Sequence, residues 1–102
     1  MDKTDAVNIA QRYAVAVNEK FNYIKIILFG SYAKGNYHDD SDIDIAVVLK
    51  DYRDFMDMQL ELMRLRRKID SRIEPHPFRL SDFTAANPMV NEILKYGIEI
   101  QS

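Results

Sequence analysis

Two apolar runs joined by a glycine-led bend constrain this chain more than any other feature. The first, Tyr23-Ile24-Lys25-Ile26-Ile27-Leu28-Phe29, stops at Gly30-Ser31. The second, Asp42-Ile43-Asp44-Ile45-Ala46-Val47-Val48-Leu49, opens on two aspartates one residue apart. Both have the length and apolar density of strands. A turn that tolerates close approach, followed after ten residues by paired acids at the head of the next strand, is a pattern that few architectures accommodate.

Helical spacing fills the rest of the chain. A first helix is predicted from the cap Thr4 to about Lys20, with Val7, Ala10, Tyr13, Ala14, Val17 and Phe21 on its buried face. After the first strand come a short helical turn and an exposed loop, 35–40, leading to the second strand at Asp42. A long helix is predicted from about Tyr52 to Ile69, directing Phe55, Met58, Leu62, Leu65 and Ile69 at the sheet. A second stripe on it, Met56, Leu60 and Met63, predicts either a docking or self-association patch or cover by the terminal helices. The third strand is expected from Arg72 to about Phe78, stopped by Pro75 and Pro77 because proline has no amide hydrogen to donate. Ser81-Asp82-Phe83 resembles a helix cap, Pro88 opens a last helix through Met89, Ile93 and Leu94 to Gly97, and Ile98-Glu99-Ile100 alternates like a brief final strand. The expected fold class is α/β: one domain over residues 1–102, with a small mixed β-sheet flanked by helices.

Composition narrows the function. At 102 residues, 47% hydrophobic and 29% charged, the chain has room for one core. A net charge of -2 argues against coating nucleic acid, so no direct nucleic-acid binding is expected. With no cysteine there is neither a disulfide framework nor a thiolate metal site. The polar start and the lack of a long uncharged apolar run point to the cytoplasm and to no membrane partner. The cluster Arg64, Arg66, Arg67 and Lys68 reads as a solvated helix end complementing the helix dipole.

The chemistry lies at the bend. Strand alternation points Asp42 and Asp44 to one face and Ile43 and Ile45 to the core. Carboxylates this close stay ionised together when a cation sits between them, and Mg²⁺, a hard ion that takes oxygen ligands and keeps substrate phosphates in its shell, suits them. Two such ions would form the clamp used in phosphoryl displacement. A third carboxylate is expected from the next strand, where Glu74 is the one acid and shares a face with Arg72 and His76. Gly30 lets backbone approach a phosphate, and Ser31 would present its hydroxyl and amide to the β- and γ-phosphates. Lys34 offers a rim cation; His38 reads as solvated, and His76, on the site face, reads either as a contact to nucleotide or acceptor or as a rim residue without a role. A phosphate turn beside same-face acids is what Mg²⁺-dependent nucleotidyl transfer requires.

Gly30-Ser31 followed by Asp42-Ile43-Asp44 resembles the signature of the nucleotidyltransferase superfamily that includes β-type DNA polymerases and aminoglycoside nucleotidyltransferases. The stretch from Ile24 to Glu74 resembles the minimal nucleotidyltransferases (MNT) of prokaryotes, many of them antitoxins paired with a HEPN-domain toxin. The resemblance implies Mg²⁺ (two ions) and a nucleoside triphosphate, usually ATP, with AMP passed to a tyrosine of a HEPN-type toxin. It assigns the triphosphate to Gly30 and Ser31, both metals to Asp42 and Asp44, and completion of one metal site to Glu74. The superfamily often has aspartate at the third position; the glutamate followed by proline here departs from it. No acceptor-holding domain follows the strands, so the acceptor is expected to be a protein that brings its own surface, in a hetero-complex or homo-oligomer. The alternatives are an antitoxin that masks its partner without catalysis, a transferase for a small hydroxylated acceptor such as an aminoglycoside, and, more distantly, a carboxylate-metal nuclease.

Overall fold

The computed structural model describes residues 1–101. Helix α1 (Lys3–Lys20) begins at a capping box: Asp2 accepts from the amide of Asp5, whose own carboxylate accepts from the amide of Asp2. The reciprocal pair places the cap at Asp2 rather than at Thr4. Strand β1 (Tyr23–Phe29) follows and ends as predicted at the Gly30 bend. The single-turn α2 (Ser31–Lys34) and a loop then lead to β2 (Ile43–Leu49), so Asp42 sits one residue ahead of its strand.

Helix α3 (Phe55–Arg66) is shorter than predicted at both ends, because Asp54, whose side chain accepts from the amide of Asp57, caps it later than Tyr52. Strand β3 (Ile73–Arg79) is followed by a 3-10 turn (Leu80–Asp82), by α4 (Pro88–Tyr96) with Asn87 as its cap, and by β4 (Ile98–Glu99). Four strands form one mixed sheet in the order β3-β2-β1-β4, with β1 antiparallel to β2 and β4 and β2 parallel to β3.

The sheet is packed on both faces. On one, Ile26, Leu28, Ile43, Ile45, Val47 and Ile73 join Ala10, Tyr13 and Val17 of α1 and Leu62 of α3. On the other, α4 lays Val90 and Ile93 over Ile27, Phe29, Ala46 and Phe78. Met89 and Leu94 of that helix are exposed. Ile43 and Ile45 enter the first core, as alternation predicts, which leaves Asp44 on the α4 face.

Pro75 and Pro77 do not stop β3. The strand lies at the sheet edge, where prolines at alternate positions turn their missing donors away from β2. The carbonyls on that open side are covered from the chain of α3 and its approach: Arg66 Nη1 donates to Ile73 O at 2.9 Å, Gln59 Nε2 to Pro75 O at 2.9 Å, and the Tyr52 hydroxyl to Pro77 O at 3.5 Å. Steps of seven residues bring these three side chains to one line, and the edge is closed to further pairing.

Of the stripe expected to face the sheet, Leu62 is buried and Met58, Leu65 and Ile69 pack half-buried against the core, while Phe55 departs from expectation and is exposed. The Leu62 carbonyl accepts from the Tyr13 hydroxyl at 2.6 Å. Met56 and Leu60 are exposed, at 65% and 50%, and Met63 is half-buried, so the terminal helices leave two of the three residues of that second stripe uncovered. Among the described residues no helix is long and apolar enough to cross a membrane.

Candidate active site

The site is built around Asp44. Antiparallel pairing sets Asp44 opposite Phe29, the last residue of β1, so the chain bends at Gly30 directly beside the carboxylate. Gly30 has φ 76° and ψ -152°, a region that essentially only glycine occupies. A Cβ there would overlap Oδ2 of Asp44 and lie 3.1 Å from its Cγ. The glycine is therefore required twice, by its dihedrals and by the acid seated against it. Ser31 opens α2 from this bend, with the amide of Lys34 closing onto Gly30 O at 3.0 Å.

On the other side, the parallel register pairs Asp44 with Glu74 and Ala46 with His76. Asp44, Glu74 and His76 thus share the α4 face, as strand parity predicts. His76 Nε2 lies 3.1 Å from Asp44 Oδ1, and both side chains are about one-quarter exposed, at 26% each. The imidazole also meets the Phe29 ring edge-on, with centroids 5.0 Å apart. The structure brings His76, a rim position by strand parity, directly against Asp44. Its parity with Glu74 was legible, but its distance from Asp44 depends on a pairing register that one strand alone does not reveal.

Asp42 is exposed just ahead of β2, held by a loop in which Ser41, buried, accepts from the amide of His38 at 2.9 Å. Glu74 is half-exposed and leans toward Arg66, at 3.9 Å. Among the described residues no three His, Cys, Asp or Glu side chains are gathered closely enough to hold a metal ion. The fold brings Asp44, Glu74 and His76 onto neighbouring strand positions and sets Asp42 at the rim. Lys34 points elsewhere: it pairs with Glu92 of α4 and stands over the Tyr96 ring at 5.3 Å, and its hydrogen bond to Glu92 raises its pKa. Beside His76 a notch of about 250 Å³ opens between Phe55, Phe78, Asn87 and Met89.

Comparison with known proteins gives the family. Residues 13–102 match the family described as polymerase beta, nucleotidyltransferase. The chain belongs to the polymerase beta nucleotidyltransferase family. It is 30% identical over 79 residues, 74% of this chain and 77% of the relative, to the Methanocaldococcus jannaschii protein named "Putative protein adenylyltransferase MJ0141". Among solved structures, a toxin–antitoxin with AMP-PNP superposes with a TM-score of 0.67 at 25% identity, over 90% of this chain and 73% of that one. A structure of tri-AMPylated Shewanella oneidensis HEPN toxin in complex with MNT antitoxin matches with a TM-score of 0.65 at 22% identity, over 98% of this chain and 72% of that one, a likeness of fold.

Proposed function

We propose that this chain is a cytoplasmic protein adenylyltransferase that passes AMP from ATP to a tyrosine hydroxyl of a HEPN-type toxin and so acts as its antitoxin. The observation that carries the reading is the seating of the Asp44 carboxylate against the Gly30 bend, which sets an acid beside a backbone turn that no side chain blocks. The name of the M. jannaschii relative and the nucleotide analogue in the toxin–antitoxin structure support the same activity.

The donors suit Mg²⁺, which one or two carboxylates hold together with substrate phosphates and water, so the lack of three gathered side chains among the described residues does not bar it. Asp42, Asp44 and Glu74 offer oxygen alone, and the cradle at Gly30 is one that a Cβ would fill. Asp42 and Asp44 would hold the two ions and Glu74 would complete one site, exchanging its approach to Arg66 for the metal. When bound, the cations supply charge neutralisation of the triphosphate. Gly30 and Ser31 would receive the β- and γ-phosphates through backbone amide and hydroxyl. The tyrosine oxygen forms its bond to the α-phosphorus in line with the breaking α–β anhydride bond. Pyrophosphate leaves and the phenolic proton is released. Positioning and fixed charge provide most of the rate.

A masking role without transfer rests on the exposed Met56 and Leu60, which offer a docking face independent of the acids. Incubation with ATP labelled at the α- or the γ-phosphate, Mg²⁺ and a HEPN toxin separates the readings. AMP transfer labels the toxin from the α position alone. Label from the γ position, or a toxin silenced without label, contradicts it.

A further inference from the structure

The Asp44 carboxylate is gripped from two sides, and only one of them is backbone. Oδ2 rests where a Cβ of Gly30 would stand, and Oδ1 lies 3.1 Å from His76 Nε2. A carboxylate only accepts, so the imidazole nitrogen facing it carries the hydrogen. The ring itself has little freedom. It extends from β3 at the position paired with Ala46, and the edge-on Phe29 ring, 63° to its plane, backs it. Among the described residues no other side chain does this for Asp44. Glu74, the register neighbour, turns toward Arg66 at 3.9 Å, and Lys34 is committed to Glu92. Each carboxylate oxygen has two acceptor sites, so the bond to His76 fixes the plane of the group and leaves sites on both oxygens for another ligand.

We propose that His76 is a positioning residue, whose Nε2–H holds the Asp44 carboxylate in the orientation that receives the divalent cation. The inference rests on the assignment of Asp44 as a metal ligand. Its physical basis is general: partners that hydrogen-bond a ligating group orient it, and their loss typically weakens metal affinity about 10–100-fold.

The test is Mn²⁺ binding to the full chain, read by the electron-paramagnetic signal of the free ion, for the wild type, His76→Leu and His76→Gln. The Gln amide nitrogen reaches close to the place of Nε2, so His76→Gln retains the donor and binds nearly as the wild type does. His76→Leu weakens Mn²⁺ by about 10–100-fold. His76→Asn, polar but too short to reach Asp44, weakens it likewise and serves if the leucine variant fails to fold. In transfer assays the leucine and asparagine variants need more Mg²⁺ for half-maximal rate, and saturating Mg²⁺ restores most of the rate. Mn²⁺ binding unchanged or tighter in His76→Leu overturns the proposal, as does a glutamine variant as weak as the leucine one. A wild type that binds no Mn²⁺ overturns the metal assignment itself, and is distinguishable from both.

Discussion

Gly30 and Asp44 exclude each other's side chains: the carboxylate occupies the space where any other residue at position 30 would place its Cβ. Substituting Gly30→Ala therefore imposes a positive φ on an L-residue and displaces the acid at once. The expected result is a loss of about 1–3 kcal/mol in urea denaturation. Adenylyl transfer should fall by about 100-fold or more, since a shift of order 1 Å in a reacting group has that effect. A Gly30→Ala variant of wild-type rate would show that the bend tolerates a moved Asp44.

Asp42 stands exposed ahead of β2. Asp42→Asn should leave the midpoint of unfolding unchanged to within about 0.5 kcal/mol. The same change should lower transfer by about 10²–10³-fold, the usual effect of removing one preorganised electrostatic group. Parallel melting and rate measurements on one preparation check both halves.

Two buried tyrosines predict opposite responses to the same substitution. Tyr13 donates to Leu62 O at 2.6 Å and ties α1 to α3, so Tyr13→Phe should destabilise by about 1–2 kcal/mol. The Tyr32 hydroxyl is buried with no partner among the described residues, so Tyr32→Phe should stabilise by about 1 kcal/mol. Burial also raises the Tyr13 pKa above its ordinary 10.0. A raised phenol favours the neutral form in the folded state, so its contribution is complete below pH 10 and is lost as pH climbs toward the folded value. Stability against alkaline pH should therefore fall less steeply above pH 10 in Tyr13→Phe.

At the entry to β3, Asp70 accepts from Arg72 Nε at 2.9 Å, from its Nη2 at 2.7 Å and from its amide at 2.9 Å. The guanidinium hydrogen bonds hold the Asp70 pKa below its ordinary 3.8. A depressed carboxylate stabilises the fold above its unfolded pKa, and that stabilisation is lost as pH falls from about 4 through the folded value. Asp70→Asn should remove this acid-side slope. At neutral pH it should cost about 1 kcal/mol, a modest amount because Arg72 is exposed and screened.

Much of the fold could be read from the residues, and the exceptions have physical causes. The end of β1 at Gly30 and the opening of α4 at Pro88 were legible, but the cap was not: Ser81-Asp82-Phe83, which resembles one, lies in the 3-10 turn, and Asn87 caps α4. The start of α1 was not legible, because Asp2 and Thr4 are both capping residues and only the reciprocal bond to Asp5 separates them. Pro75 and Pro77 read as stops until the strand order is known; at an edge covered by Tyr52, Gln59 and Arg66 they are tolerated. In the candidate site, alternation was enough to set Glu74 and His76 on one face of their strand; the β2–β3 register adds Asp44 to it. The His76–Asp44 contact and the turn of Glu74 toward Arg66 depend on register and on a helix packed from elsewhere in the chain, which local pattern does not encode.

The central claim, that the acids beside Gly30 drive adenylyl transfer, is tested most directly by intact-mass spectrometry of a HEPN toxin. The toxin is incubated with ATP, Mg²⁺ and either the wild-type chain or the Asp42→Asn/Asp44→Asn double variant. The wild type should add whole AMP units to the toxin and the variant none, both proteins being folded. An unmodified toxin with the wild type, or equal modification by the variant, would contradict the account.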